Sequence, residues 1–442
     1  MQAVLQQSSG AKESASTWRR PAAWLQKQKL NRNFWIFFSA AFFFDAGFSV
    51  YFFLFNLYLL DRHFHERSIG LIGGAFTLGL LAGTLPAGLL ARRIGLRRLL
   101  AICFISASLL NGARTLWMQE PAQIVLAFLA GMAMCCWGVC FLPAVARLTT
   151  EENRTSAFSL IYSVSIGTSI LGGIISGYLP LWCKAAGLIF QAAEIKRLIL
   201  VFACCMALMS LLPLSYLSVP DQLSEEAGNI PEGGRRWLQI LSRHPFLVRF
   251  LPLMALWAAV IAAFTPFANI FLAQELHIPL AHIGLIFSAT QALQLSMGLL
   301  VPIIVRAMGL INGIAATQIV AGIALLAMAM AGKGVFAVAL YLIFSAAQWA
   351  SSPGLYNLLM NQTPDSQRST AAAMTLFANA LAGSLATAGA GVLFARFGYK
   401  PILLGIAAVA ITTAILLRIA IVPRRHIQAA STCVACLKES KG

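Results

Sequence analysis

Asp45 is the residue whose chemistry departs most from its surroundings. It lies in Phe42-Phe43-Phe44-Asp45-Ala46-Gly47, about 11 residues into a long apolar run. At 1.5 Å of rise per helical residue that is roughly 16 Å from the start, near the middle of a hydrocarbon layer about 30 Å thick. No other acid lies as deep in an apolar run. An ionised carboxylate at that depth costs several kcal/mol unless it is paired or wet. A proton carrier must be neutral when occluded and ionised when open to water, and a carboxyl placed here suits that task. It also suits a counter-ion for a cationic solute. The alternative is a structural carboxyl, hydrogen-bonded to backbone or to Ser49. No Lys or Arg sits at comparable depth, since Arg114 falls toward one end of its run. A pocket for organic anions, which would want a central cation, is therefore not expected.

Neutral polar groups form the second set. Ser288, Gln291 and Gln294 are spaced three apart and so share a helical face. Gln348, Trp349 and Asn379 lie deep in later apolar runs, and Thr77, Trp137, Tyr162, Ser165 and Thr168 in earlier ones. Amides beside aromatic rings hydrogen-bond neutral solutes and stack on apolar or cationic ones. Of these, Gln291, Gln294, Trp349, Gln348, Trp137, Tyr162, Thr168 and Asn379 are the expected substrate-binding residues. Packing between helices uses the same residue types, so each is also explained as a bridge.

Membrane-spanning helices must position these groups. The chain of 442 residues is 59% hydrophobic and 11% charged, with a mean hydropathy of +0.78. Soluble domains are nearer 45–50% apolar and about 25% charged, so lipid is the expected solvent for most of the surface. That excludes a soluble enzyme, a disulfide scaffold and a disordered regulator. Twelve apolar segments are long enough to cross a bilayer: 34–60, 69–91, 97–117, 121–146, 156–181, 196–217, 246–273, 282–305, 310–331, 335–359, 370–394 and 400–421. The expected divisions are an N-terminal segment at 1–33, a six-helix half at 34–217, a central loop at 218–245, a second half at 246–421 and a tail at 422–442.

The net charge of +17 reflects topology rather than nucleic-acid binding. With both termini inside, the interior receives 23 of the 32 Lys and Arg, as the positive-inside bias requires. The first 33 residues are polar and basic, with no cleavable signal peptide expected. Arg235-Arg236-Trp237-Leu238-Gln239-Ile240-Leu241 reads as an amphipathic segment on the cytoplasmic face. Both termini are expected in the cytoplasm, with the chain in the plasma (inner) membrane.

The two halves repeat. At an offset of 214, Ile69-Gly70-Leu71-Ile72 matches Ile283-Gly284-Leu285-Ile286. In the same register Arg92 meets Arg306, Gly95-Leu96 meets Gly309-Leu310, His63 meets His277 and Arg154 meets Arg368. Asn56-Leu57-Tyr58-Leu59 resembles Asn269-Ile270-Phe271-Leu272 after a one-residue slip. Ala259 stands opposite Asp45, so the second half has no equivalent carboxyl.

Parallel six-helix halves and the loop Gly88-Leu89-Leu90-Ala91-Arg92-Arg93-Ile94-Gly95-Leu96-Arg97-Arg98 resemble the major facilitator superfamily over residues 34–421. Gly88, Arg93, Gly95 and Arg97 fit the family signature, whereas Arg92 stands where the family usually has Asp. That Asp faces the positive N-terminus of helix 11, which a cation cannot favour. The resemblance implies a cavity lined by helices 1, 2, 4, 5, 7, 8, 10 and 11, with substrate bound near midplane. It also implies gating roles for Gly88, Arg92, Arg93, Gly95, Arg97, Arg306, Arg154 and Arg368. Glu151, Glu152 and Asp365 are alternative gate partners, and Arg92 alternatively serves topology alone. Glycines in spans 2, 5 and 11 are expected to form close interfaces between bundles. Pro143 and Pro353 are expected to kink spans 4 and 10.

The implied fold is all-α, with twelve transmembrane helices in two six-helix repeats. The implied function is a secondary transporter working by alternating access, proton-coupled through Asp45, with export of a neutral or cationic organic solute favoured. A sugar or metabolite importer, a non-transporting receptor on the same fold and a lipid flippase are the alternatives. No GxxxxGK[ST], HExxH or metal-ligand set is present. Neither enzymatic activity nor a cofactor is expected. The expected partners are a small-molecule substrate, protons and the lipid bilayer, with the protein a monomer. Cys433 and Cys436 lack two further metal ligands and read as part of a tail. His63, His65, His277 and His282 read as solvated loop residues, with sensing of external pH the alternative.

Overall fold

The computed structural model describes residues 30–187, 191–218, 244–331, 334–364 and 367–421, apart from the side chains of Leu85, Arg92, Glu151, Glu152, Thr155 and Ser369. Several expected features lie outside the described residues: most of the N-terminal segment, the Arg235–Leu241 stretch, Asp365, the tail CxxC, and the side chains of Arg92, Glu151 and Glu152.

Among the described residues, twelve helices are long and apolar enough to span a membrane. They are α1 (Arg32–Asp61), α2 (Glu66–Ile94), α3 (Leu96–Leu116), α4 (Glu120–Arg147) and α5 (Glu151–Ala185). Next come α6 (Ala192–Ser215) and α7 (Pro245–Gln274). The last are α8 (Leu280–Met308), α9 (Leu310–Met330), α10 (Val335–Gln362), α11 (Arg368–Phe397) and α12 (Tyr399–Ala420). No strand occurs among the described residues.

The repeat extends to the helix ends. The bounds of α2 and α3 shifted by 214 are those of α8 and α9. The tight joint between α2 and α3 turns on Gly95 at φ +81°, and its counterpart on Gly309 at φ +80°. A side chain at either position would be strained, which explains the matched glycines. His63 and His277 adopt φ +63° and +53° in the matching loops. Left-handed backbone is uncommon outside glycine, so its recurrence in register marks a shared turn.

α7 is broken where the sequence suggested one continuous span. Helix Pro245–Phe264 passes through a 3-10 turn, Thr265–Phe267, into helix Ala268–Gln274. Pro266 has no N–H to give Ala262, one turn back. The Thr387 hydroxyl of α11 takes that place, donating to Ala262 O at 3.0 Å.

The halves pack through α2 with α11, α5 with α8, and α1 with the second part of α7. All three seams crowd toward the end that carries the α1–α2 and α7–α8 loops, the loop end below. There an added Cβ on Gly70 would stand 2.8 Å from Gly391 Cα, and one on Gly173 would stand 2.9 Å from Phe287 Cδ1 and 3.0 Å from Gly284 O. The pairs Gly70/Gly391 and Gly284/Gly177 are the same contact related by the repeat. Small residues let the backbones meet, as expected for bundle interfaces.

Candidate functional site

Below these seams, a cavity of about 380 Å³ opens between α2, α7, α10 and α11. The volume falls near the lower end of small-molecule sites. α7 contributes Met254, Trp257, Ala258, Ile261 and Ala262; α11 contributes Leu376, Asn379, Ala380 and Gly383. α10 adds Ser352, Leu355 and Tyr356, and only Thr77 comes from the first half. No wall residue is charged. Thr77 donates to Gly73 O at 3.1 Å, leaving its oxygen to accept. Trp349 precedes Ser352 by three residues and Tyr356 by seven, so it extends the same helical face, and it is half exposed.

The loop end is held by hydrogen bonds between the halves. Asn56 Nδ2 donates to Pro266 O at 2.9 Å, and Asn269 Nδ2 donates to Phe53 O at 3.2 Å. Ser288 Oγ donates to Ile170 O at 2.6 Å, and Ser384 Oγ to Gly74 O at 2.8 Å. Ser288 and Gly74 are repeat partners, as are Ser384 and Ile170, so these two bonds join the same pair of positions twice.

Asp45 lies half-buried in mid-α1, facing α5. Its carboxyl meets the Ser165 hydroxyl. Ser49 is not its partner: that hydroxyl bonds Ala46 O at 2.9 Å and Thr168 O at 3.1 Å. Asp45 is not among the cavity wall residues. Arg114 is buried toward the loop end, stacked 4.3 Å from the Phe55 ring centroid and donating to Asn111 Oδ1 at 2.9 Å. It too is absent from the cavity walls.

The model of the family described as "Major Facilitator Superfamily" matches residues 37–387. The chain belongs to that superfamily. It is a multi-pass membrane transporter of the secondary type, and its family and fold are those of transporters rather than enzymes. No curated protein matches it in sequence. Among solved structures, the nucleoside transporter NupG superposes with a TM-score of 0.74 at 14% identity, covering 88% of this chain and 99% of that one. A D-xylose–proton symporter gives 0.64 at 15% identity, covering 86% and 95%. A bacterial metal transporter gives 0.65 at 16% identity, covering 89% and 99%. These likenesses carry the major facilitator fold; the cargoes named differ, so specificity must be read from side chains.

Within this major facilitator frame the expected substrate residues separate. Asn379 lines the cavity. Gln348 is buried one turn before Ser352 on α10 and is not among the wall residues, accepting from Thr265 Oγ1 at 3.3 Å. Gln294 donates to Ser345 Oγ at 3.0 Å, tying α8 to α10; Gln291 lies half-buried three residues earlier. Trp137 joins an aromatic cluster in the first half, 5.3 Å from Phe44 and 5.7 Å from Phe104. Tyr162 caps that cluster at Phe141, 5.8 Å away. Thr168 is buried and donates to Ser165 O at 2.8 Å. Sequence reading missed Trp257, Ser352 and Tyr356. A buried indole N–H needs a partner, and that was the available signal for Trp257.

The expected gate residues sit at the opposite end from the seams. Gly88 has open space around it, and Arg93 and Arg306 are exposed. Arg97 donates to Ser215 O of α6, and Arg368 to Met360 O of α10 at 3.0 Å. Each of these bonds stays within its own half. Arg154 is half-buried.

Proposed function

We propose that this transporter moves an uncharged small organic solute in exchange for protons, with Asp45 carrying the proton and export as the direction. The observation that supports this reading most is the cavity itself. It is walled by neutral hydroxyl, amide and indole residues on an apolar background, and it adjoins seams of small residues that let two halves rock. A charged cargo would meet no opposite charge on these walls. Asp45 is the acid deep within a described span, and the hydroxyl beside it offers a partner to either protonation state.

The proposed orientation places both termini in the cytoplasm of a cell whose plasma (inner) membrane holds a monomer. The basic residues then follow the positive-inside bias. The sealed loop end is external, and the cavity faces inward. Export begins with solute entering this cavity from the cytoplasm. The halves rock, the loop-end seams part, and Asp45 exchanges its proton as solute leaves.

The test is proteoliposomes with an imposed pH gradient and a panel of uncharged solutes, comparing wild type with Asp45→Asn. Solute-driven proton flux that disappears in the variant supports the coupling. Undiminished flux in Asp45→Asn overturns it and leaves a facilitator. Binding without any flux would mark a receptor. The Asn379 amide on the cavity wall also favours a second reading as a proton-coupled importer of a sugar or metabolite. Solute accumulation inside vesicles along an inward proton gradient would establish it.

A further inference from the structure

Two covered polar atoms of cavity-wall residues have no partner in the protein. Trp257 is 3% exposed, and its Nε1–H meets no acceptor. The Asn379 Oδ1 is buried and meets no donor. Buried side-chain polar atoms are rarely left unpaired, and each exception calls for an explanation. These two belong to cavity walls on neighbouring helices, α7 and α11, which pack closely together. Their chemistry is complementary: an indole N–H only donates, and an amide oxygen only accepts. Ser352 and Tyr356 on α10 complete the polar part of the walls, and the remainder is apolar.

We propose that Trp257 and Asn379 form a donor–acceptor pair that recognises an uncharged solute presenting a carbonyl next to an N–H, as in a lactam or cyclic ureide. This rests on the reading of the cavity as the solute site. As the Trp257 and Asn379 side chains turn toward the cavity, Trp257 Nε1–H donates to the solute carbonyl, and the solute N–H donates to Asn379 Oδ1. The apolar walls cover the flat face of the ring. A polyol of the same size could also accept from the indole and donate to the amide oxygen, but it presents no flat apolar ring face to the walls. A solute lacking the N–H leaves Asn379 unpaired, and a site built to hydrogen-bond its ligand rejects such analogues strongly.

The experiment uses the full chain in nanodiscs and three probes: uracil, 1,3-dimethyluracil and erythritol. Affinity is measured by calorimetry. The Trp257 indole N–H is followed by NMR with ¹⁵N-labelled tryptophan, its resonance identified by its loss in Trp257→Phe. Uracil is expected to bind and to move that resonance downfield. 1,3-Dimethyluracil, which keeps both carbonyls and loses both N–H groups, is expected to bind at least about tenfold more weakly. Trp257→Phe and Asn379→Leu are each expected to weaken uracil by about tenfold. The wild-type resonance decides the matter even where a variant folds poorly. The pair is overturned if uracil and its dimethyl analogue bind equally, or if the Trp257 resonance stays fixed as uracil saturates. If erythritol alone binds and crosses reconstituted vesicles, the pair falls and the transporter reading stands. If no probe binds and no solute of the wider panel moves, both fall.

Discussion

Asn56 and Asn269 clasp one another's helices. Each donates its side-chain amide to the carbonyl three residues before the other: Asn56 to Pro266 O at 2.9 Å and Asn269 to Phe53 O at 3.2 Å. A net contribution near 1 kcal/mol per hydrogen bond corresponds to about fivefold in a two-state population. Asn56→Ala and Asn269→Ala are each expected to shift the protein toward opening of the loop end by about that factor. Spin labels at the exposed positions Arg67 and Arg396, in a cysteine-depleted background, would show a longer-distance population rising in the variants. Unchanged distance distributions would show that the seam closes without the clasp.

Added methyl groups should separate seam glycines from those inside a half. Gly70→Ala places its Cβ 2.8 Å from Gly391 Cα across the seam, so it is expected to disfavour the closed loop end and slow transport. Gly79→Ala drives its Cβ into the Phe128 carbonyl within the first half. Overpacking of this kind costs about 1–3 kcal/mol, and a lowered Tm in detergent is expected. Solute exchange rates and thermal melts on the two variants distinguish these effects.

Asp45→Asn is expected to abolish proton movement while solute exchange across the membrane without net flux continues. Asp45→Glu keeps the carboxyl and is expected to retain part of the coupling. The measurement is paired: a pH-sensitive dye for protons and counterflow of labelled solute. Loss of both activities together in Asp45→Asn would assign the residue to folding or to solute binding.

Amides bonded to other helices should behave differently from hydroxyls on the cavity wall. Gln294→Leu removes the 3.0 Å bond to Ser345 and is expected to lower stability by about 1 kcal/mol, leaving solute affinity nearly unchanged. Ser352→Ala and Tyr356→Phe remove wall hydroxyls and are expected to weaken solute binding by about fivefold each, with little change in Tm. Equal affinities in all three variants would place the solute elsewhere.

The spans and the repeat were legible because both rest on periodic signals: long apolar runs, and glycines and arginines in a fixed register. The helix ends at Ile94 and Met308 follow from the glycines that succeed them. Side-chain partnerships were not legible. Whether Gln294 faces Ser345 or a solute depends on the rotation of α8 against α10, which no local pattern encodes. Asp45 meets Ser165 rather than Ser49 for the same reason, because Ser49 is committed to backbone carbonyls. The break in α7 was signalled by Pro266, but the strength of the surrounding apolar run concealed it. Trp257 was hidden among apolar neighbours until its unpaired N–H could be seen in a residue of the cavity wall.

The cavity draws all but one of its wall residues from the second half, whereas Asp45 belongs to the first. Substitutions in α7, α10 and α11 would therefore retune cargo without touching the carboxyl, and the two halves would be free to diverge at different rates. If the cavity selects cargo and Asp45 carries the proton, as proposed, a chimera of this first half with the second half of another major facilitator would inherit its cargo from one parent and its energy source from the other.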